Sequence, residues 1–221
     1  MNILEFLGLG IAFVLAVTLH EAAHGLVAFF LGDDTASKEG RVTLNPIVHI
    51  DPIGSILLPG ALMLAGTPFL FGYAKPVPVN FSRLRLKNLG VILVAGAGPL
   101  MNFMLAFLAA FLLHVNGSQS TLGNDILVHS VRMNIVLGVF NLLPFLPFDG
   151  GRILHALSPQ SLKKILEKIE PYTFFGLLML LWVPFLTKAL FSKEIDIFRM
   201  LIMPPYEFFL RFILIITGHG A

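Results

Sequence analysis

From residue 6 to residue 32 the chain carries a single formal charge, Glu21. As a helix that run would rise about 40 Å at ~1.5 Å per residue, more than the ~30 Å hydrocarbon core of a bilayer. A spanning segment must satisfy its backbone internally, so helix is the expected form. Within the run, "AVTLHEAAHGLVAFF" (16–30) places His20, Glu21 and His24 inside five residues. An ionised side chain at the bilayer centre costs roughly 2.5–3.5 kcal/mol on insertion scales, so such groups are usually paired or functional.

The rest of the chain is of the same kind. It is 56% hydrophobic and 13% charged, against roughly 25% charged in soluble domains, which makes a multi-pass membrane protein the expected class. The first run has no basic leader and outlasts a signal-peptide core, so it reads as a retained helix. There is no cysteine, so a metal site must be built from histidine and carboxylate. The formal net charge of +2 suits basic loops against an anionic membrane face rather than nucleic-acid binding.

Residues 3–31 read as the first span, ended by Gly32-Asp33-Asp34. "TASKEGRVTLN" (35–45) has Gly40 between two β-capable pieces and reads as a small membrane-associated β-hairpin. Residues 52–74 are apolar but broken by glycine and proline, as in a broken span or a re-entrant segment. Residues 89–115 and 126–148 read as spans, 158–170 as an interfacial amphipathic helix, and 172–187 as a shorter span. Residues 198–218 either cross or lie in the interface. The fold expected is an all-α polytopic membrane protein with roughly four to six transmembrane helices of ~20 residues, the hairpin and the re-entrant segment. One membrane-embedded domain over 1–221 is expected, with a core at 1–157 and C-terminal helices at 158–221. Lys75, Arg83, Arg85 and Lys87 make the 75–88 loop the cytoplasmic one by the positive-inside rule. If 52–74 re-enters, His20, His24 and Asp149 fall at the same, cytoplasmic, depth.

On a helix, residues four apart share a face. His20 and His24 can therefore ligate one cation, with Glu21 beside them as general base, the logic of H-E-x-x-H. A histidine pair bridged to Glu21 as helix glue is the alternative. Catalytic zinc usually takes three protein ligands and keeps one position open. Glu5 lies at the wrong end of the first helix and Asp125 at the outer face. Asp149 ends an apolar span at the right depth, after Pro144 and Pro147 and before Gly150-Gly151, which permit a sharp turn. A plain helix-end aspartate is the alternative there.

"HEAAH" in a first transmembrane helix, "GAGPLMN" (96–102) in a middle one and "FNLLPFLPFDGGR" ending a later one resemble the site-2 protease family of intramembrane zinc metalloproteases. The resemblance spans about residues 1–157 of the chain. It implies one Zn2+ per chain held by His20, His24 and Asp149, with Glu21 as catalytic base. It also implies that the substrates are transmembrane segments of other proteins; the basic 75–88 loop puts the site in the cell membrane toward the cytoplasmic side. Asn102 and Asn141 match positions thought to place substrate near the metal; interhelical hydrogen bonding is the alternative for both. Gly96 and Gly98 read as allowing close helix approach. No PDZ or CBS module is recognisable.

An unwound substrate could add as a strand to the 35–45 hairpin or to "KPVPVN" (75–80). His49 reads as a partner of a backbone carbonyl. Two rival readings stay open: a membrane zinc transporter, and a non-proteolytic relative that binds helices.

Overall fold

The structure, a computed structural model, describes residues 3–64, 73–116, 122–193 and 195–219. Among the described residues eight α-helices follow in order: α1 (Ile3–Phe30), α2 (Thr35–Lys38), α3 (Leu58–Leu64), α4 (Lys87–Asn116), α5 (Leu122–Asn141), α6 (Asp149–Leu157), α7 (Gln160–Phe191) and α8 (Ile197–Ile216). Helices α1, α4 and α5 pack mutually; α6 lies on α4, and α8 covers α5.

Small side chains make this packing close. Ala12, Ala16, Ala28, Ala106 and Ala110 are fully buried, which lets helix backbones approach without a hydrophobic drive between them. The large apolar side chains point outward instead, among them Phe30, Leu100, Phe111, Trp182 and Phe185. The polar residues His20, His24, Asn102 and Asn134 lie inside. Polar groups within and large apolar groups without is the arrangement lipid demands.

Two expectations about the fold are corrected. Among the described residues α1 and α4 are long and apolar enough to cross a membrane, and α7 makes at most a third, bent by 58° between its halves. Four to six crossings are therefore not found. Helix α5 is diluted by Asn124, Asp125, His129, Arg132 and Asn134, and α8 by Arg199, Glu207 and Arg211. The bend in α7 follows Pro171, whose ring displaces the carbonyl four residues back.

The second correction is the β-hairpin. The described residues contain no strand, and 35–45 folds as the one-turn helix α2 with a turn at Gly40. Local polar groups decide this. The Thr35 amide and hydroxyl donate to Asp33 Oδ1, and Lys38 pairs with Asp34 at 2.6 Å one turn away. Arg41 N closes the turn on Ala36 O at 2.8 Å.

Beyond it, Asp51 caps a π-helical turn at Pro52–Leu57 that runs into α3. Residues 65–72 of the expected re-entrant segment lie outside the described residues. The Tyr73 amide donates to Gly54 O at 3.0 Å, so the excursion starts and finishes at one place. Residues 73–80 then run extended into the loop before α4.

Gly150 and Gly151 serve close approach rather than a turn. They lie in the first turn of α6, under the 142–146 backbone. A Cβ at either would strike the peptide groups of Leu142 or of Phe145 and Leu146. Their absence of side chain lets the end of α5 fold back over α6 and bring Asp149 inward.

Candidate metal centre

His20 and His24 stand one turn apart on α1, 6% and 8% exposed. Their Nε2 atoms are 3.0 Å apart, and Asp149 Oδ2 lies 3.3 Å from each. Each imidazole is turned by its other nitrogen. His24 Nδ1 donates to Val94 O at 2.7 Å, and His20 Nδ1 to Asn102 Oδ1 at 2.6 Å, both acceptors on α4. A backbone carbonyl can only accept, so His24 carries a proton on Nδ1, which makes Nε2 the nitrogen that can offer a lone pair to a cation.

Two imidazole lone pairs and a buried carboxylate oxygen without a hydrogen-bond donor thus converge on one point. Three acceptors cannot satisfy one another; a cation satisfies all three. A tetrahedron with ~2.0–2.1 Å zinc–ligand bonds has edges of about 3.3 Å, close to the three separations here. The donor set fits zinc with a fourth position left over. Asp149 is the first residue of α6, where the helix N-terminus favours its negative charge.

Gly98 of α4 lies against both rings, and a Cβ there would fall inside them, 2.6 Å from His20 Nε2. Its lack of a side chain is what allows α4 to carry Val94 and Asn102 so close to α1.

Glu21 lines a cavity of about 690 Å³ with both histidines, Asp149 and Asn141. Ala74, Pro76, Val77 and Val79 of the extended segment form part of its wall. Glu21 Oε2 accepts the Val77 amide at 2.8 Å. That amide lies in the 75–80 segment expected to receive an unwound substrate, and it is already engaged.

The extended segment is fastened along its length. Lys75 N donates to His49 O at 2.9 Å, Arg41 Nη2 to the Lys75 and Pro76 carbonyls at 2.8 and 3.2 Å, and Asn80 N to Asp33 Oδ2 at 2.6 Å. Burial pushes the Asp33 carboxyl up. Bonds from the Thr35 hydroxyl and from the Asn80 and Thr35 amides, with Arg83 near, outweigh this and hold it below its ordinary 3.8. His49 bonds Thr43 O at 3.1 Å and does not line the cavity.

Of the residues picked out in the sequence, His20, His24 and Asp149 come together, and Glu21 and Asn141 share their cavity. Asn141 donates to Leu137 O of its own helix at 3.0 Å. Asn102 is fully buried behind His20, away from the cavity. Sequence reasoning missed Asn134, 2% exposed, whose Oδ1 accepts from Asn102 Nδ2 at 2.8 Å. It precedes Asn141 by two helical turns, a spacing that puts both amides on one face of α5.

Comparison with known proteins gives a consistent picture. The family model described as Peptidase family M50 matches residues 119–183, a stretch that contains Asp149 but not the two histidines. The protein named "Putative zinc metalloprotease YwhC" of Bacillus subtilis is 41% identical over 182 residues, covering 79% of this chain and 80% of that protein. "Putative zinc metalloprotease Rip2" of Mycolicibacterium smegmatis is 26% identical over 182 residues, covering 81% and 68%. Its namesake in Mycobacterium tuberculosis is 29% identical over 170 residues, covering 76% and 62%. No solved structure matches the chain.

Proposed function

The chain belongs to peptidase family M50, the site-2 protease family, and from that premise we propose that it is an intramembrane zinc metalloprotease acting on transmembrane segments of other membrane proteins. The observation that carries this is the convergence of His20, His24 and Asp149 at the edge of a cavity that Glu21 also lines. In this reading those three residues hold one zinc ion per chain and Glu21 is the general base. A zinc ion held by these residues would supply a Lewis acid for the scissile carbonyl and would lower the pKa of a water toward ~7.

The protein's own groups do the rest. Glu21 takes the proton from the attacking water and returns it to the leaving amine. The Val77 amide holds one of its oxygens, which leaves the other to face the water. Asn141, on the same cavity wall, positions the substrate backbone. A substrate helix must unwind before attack, since its carbonyls are bonded internally. The extended 73–80 segment offers an unwound chain a wall to lie along.

The four basic residues of the 75–88 loop support a site toward the cytoplasmic side of the cell membrane. The chain acts as one membrane-embedded unit over 1–221, with the site's residues all inside 1–157.

Glu21→Gln tests the reading. Purified in detergent, the variant is expected to bind zinc like the wild type and to lose cleavage of a single-span substrate by 10²-fold or more, the usual scale for a general base. Cleavage retained in Glu21→Gln would overturn the mechanism. Zinc flux into proteoliposomes without cleavage would favour a carrier instead.

A further inference from the structure

An unbroken line of hydrogen bonds runs from the backbone of α5 to His20. Asn134 Nδ2 donates to Ser130 O at 2.9 Å. Asn102 Nδ2 donates to Asn134 Oδ1 at 2.8 Å and to Ala16 O at 3.2 Å. Asn102 Oδ1 accepts His20 Nδ1 at 2.6 Å. Both asparagines are closed off from the cavity and from the outside, at 0% and 2% exposure.

The direction of this line is fixed by its ends. A carboxamide has nearly the same shape either way round, and only its partners decide which end is oxygen. Ser130 O and Ala16 O are backbone carbonyls and can only accept. The Asn134 amine must face Ser130, so its oxygen faces Asn102. Both protons of the Asn102 amine are then used, on Asn134 and Ala16, so the Asn102 oxygen must face His20. His20 must put its proton on Nδ1, and its Nε2 keeps a lone pair toward Asp149 and His24.

A reversed Asn102 would offer its amine to Nδ1 and favour the other tautomer. That tautomer has a proton on Nε2, at the point where the three acceptors converge, and cannot ligate there. It would also set the Asn102 oxygen against Ala16 O. His24 needs no such relay, because Val94 O turns it directly. Asn102 touches the ligand; Asn134 is what keeps Asn102 the right way round.

We propose that Asn134 is a positioning residue that, through Asn102, fixes the tautomer of His20 in which Nε2 can bind a metal. The proposal rests on the reading above, in which His20 is a zinc ligand. It adds a specific task for a residue one helix further out.

The test uses the full chain in detergent, as wild type, Asn134→Leu and Asn134→Asp. Leucine keeps the branched shape and removes the acceptor; aspartate keeps an acceptor toward Asn102. Zinc affinity is read by competition with a chromogenic chelator. Asn134→Leu should bind zinc 10–100-fold more weakly, the usual scale for a residue supporting a metal ligand, and Asn134→Asp should recover most of that loss. Helix glue alone predicts the reverse order, since a buried carboxylate is the more disruptive change.

A second readout addresses the tautomer itself. Histidine 15N shifts of chelator-treated wild type should show His20 and His24 both protonated on Nδ1. Asn134→Leu should move His20 to a mixture and leave His24 unchanged. Unaltered zinc affinity in Asn134→Leu, or a wild-type His20 whose Nδ1 carries no proton, would overturn the proposal. If Asn134→Leu does not fold, the wild-type spectrum and Asn134→Asp still decide it. Should the wild type bind no zinc while His20 shows the Nδ1 proton, the metal reading fails and the relay stands.

Discussion

Gly98 and Gly96 lie two residues apart on α4 and have opposite surroundings. A methyl at Gly98 would enter both imidazoles, whereas at Gly96 nothing lies within 4 Å. Gly98→Ala is expected to weaken zinc retention by roughly 10–100-fold, matching the ~1–3 kcal/mol typical of overpacking. Gly96→Ala should retain zinc like the wild type, with metal content after gel filtration as the measurement. The sequence does not distinguish the two, because which face of α4 meets α1 is a tertiary fact. The HEAAH spacing, by contrast, put two imidazoles on one helix face without any tertiary information, and His20, Glu21 and His24 were legible for that reason. Asp149 was legible because a carboxylate beside broken apolar helix is rare. Asn102 was read toward substrate because its motif does not say whether the amide points at the cavity or behind a ligand. Asn134 went unread although its two-turn spacing from Asn141 was available.

At the scale of elements, β-branched Val42 and Thr43 beside Gly40 suggested a hairpin, but a strand needs a partner edge and none of the described residues supplies one. Asp33 and Asp34 had already recruited Thr35 and Lys38 into a helical turn. Asp33 does more than start that turn, since it fastens Asn80 and so the far end of the extended segment. Its carboxyl is held below 3.8 in the folded protein, so its contribution is complete above that value and is lost as the pH falls through the lower, folded one. Asp33→Ala should cost about 1.5–3 kcal/mol at neutral pH, the range for hydrogen bonds to a charged group. The gap in Tm between wild type and variant should hold steady down to about pH 5 and close below pH 4, as the carboxylate protonates. The middle of the segment is tested by Val77→Pro, which removes the amide that donates to Glu21. Zinc content should be unchanged and cleavage should fall about 10-fold or more, since a bond to a carboxylate is worth ~1.5–3 kcal/mol. Residues 158–170 and 172–187 were read as two helices, where the structure has one helix with a bend.

Small residues and buried polar groups join α1 to α4, Val131, Ile135, Val139, Ile202 and Ile213 form an apolar seam between α5 and α8, and many of the bulky side chains elsewhere turn outward. Composition announced the membrane class; the number of crossings was overcounted because apolar content alone does not show that α5 and α8 carry too many polar residues to pass as spans. The candidate metal centre joins α1 to α6, so a cation bound there only by the folded state would stabilise the entire bundle. Stripping zinc with a chelator should therefore lower Tm, and restoring it should raise stability by about 2.7 kcal/mol when free zinc is at 100 times Kd. A Tm indifferent to zinc would mean that the three residues do not share an ion. The split of the ligands between α1 and α6 also has a meaning in time. About 125 residues separate His24 from Asp149, and at ~5–20 residues per second the ribosome needs roughly 6–25 s to make them. In the proposed reading, the newborn first helix carries its histidines and glutamate through that interval without the third ligand, so the site is completed only after α6 is made.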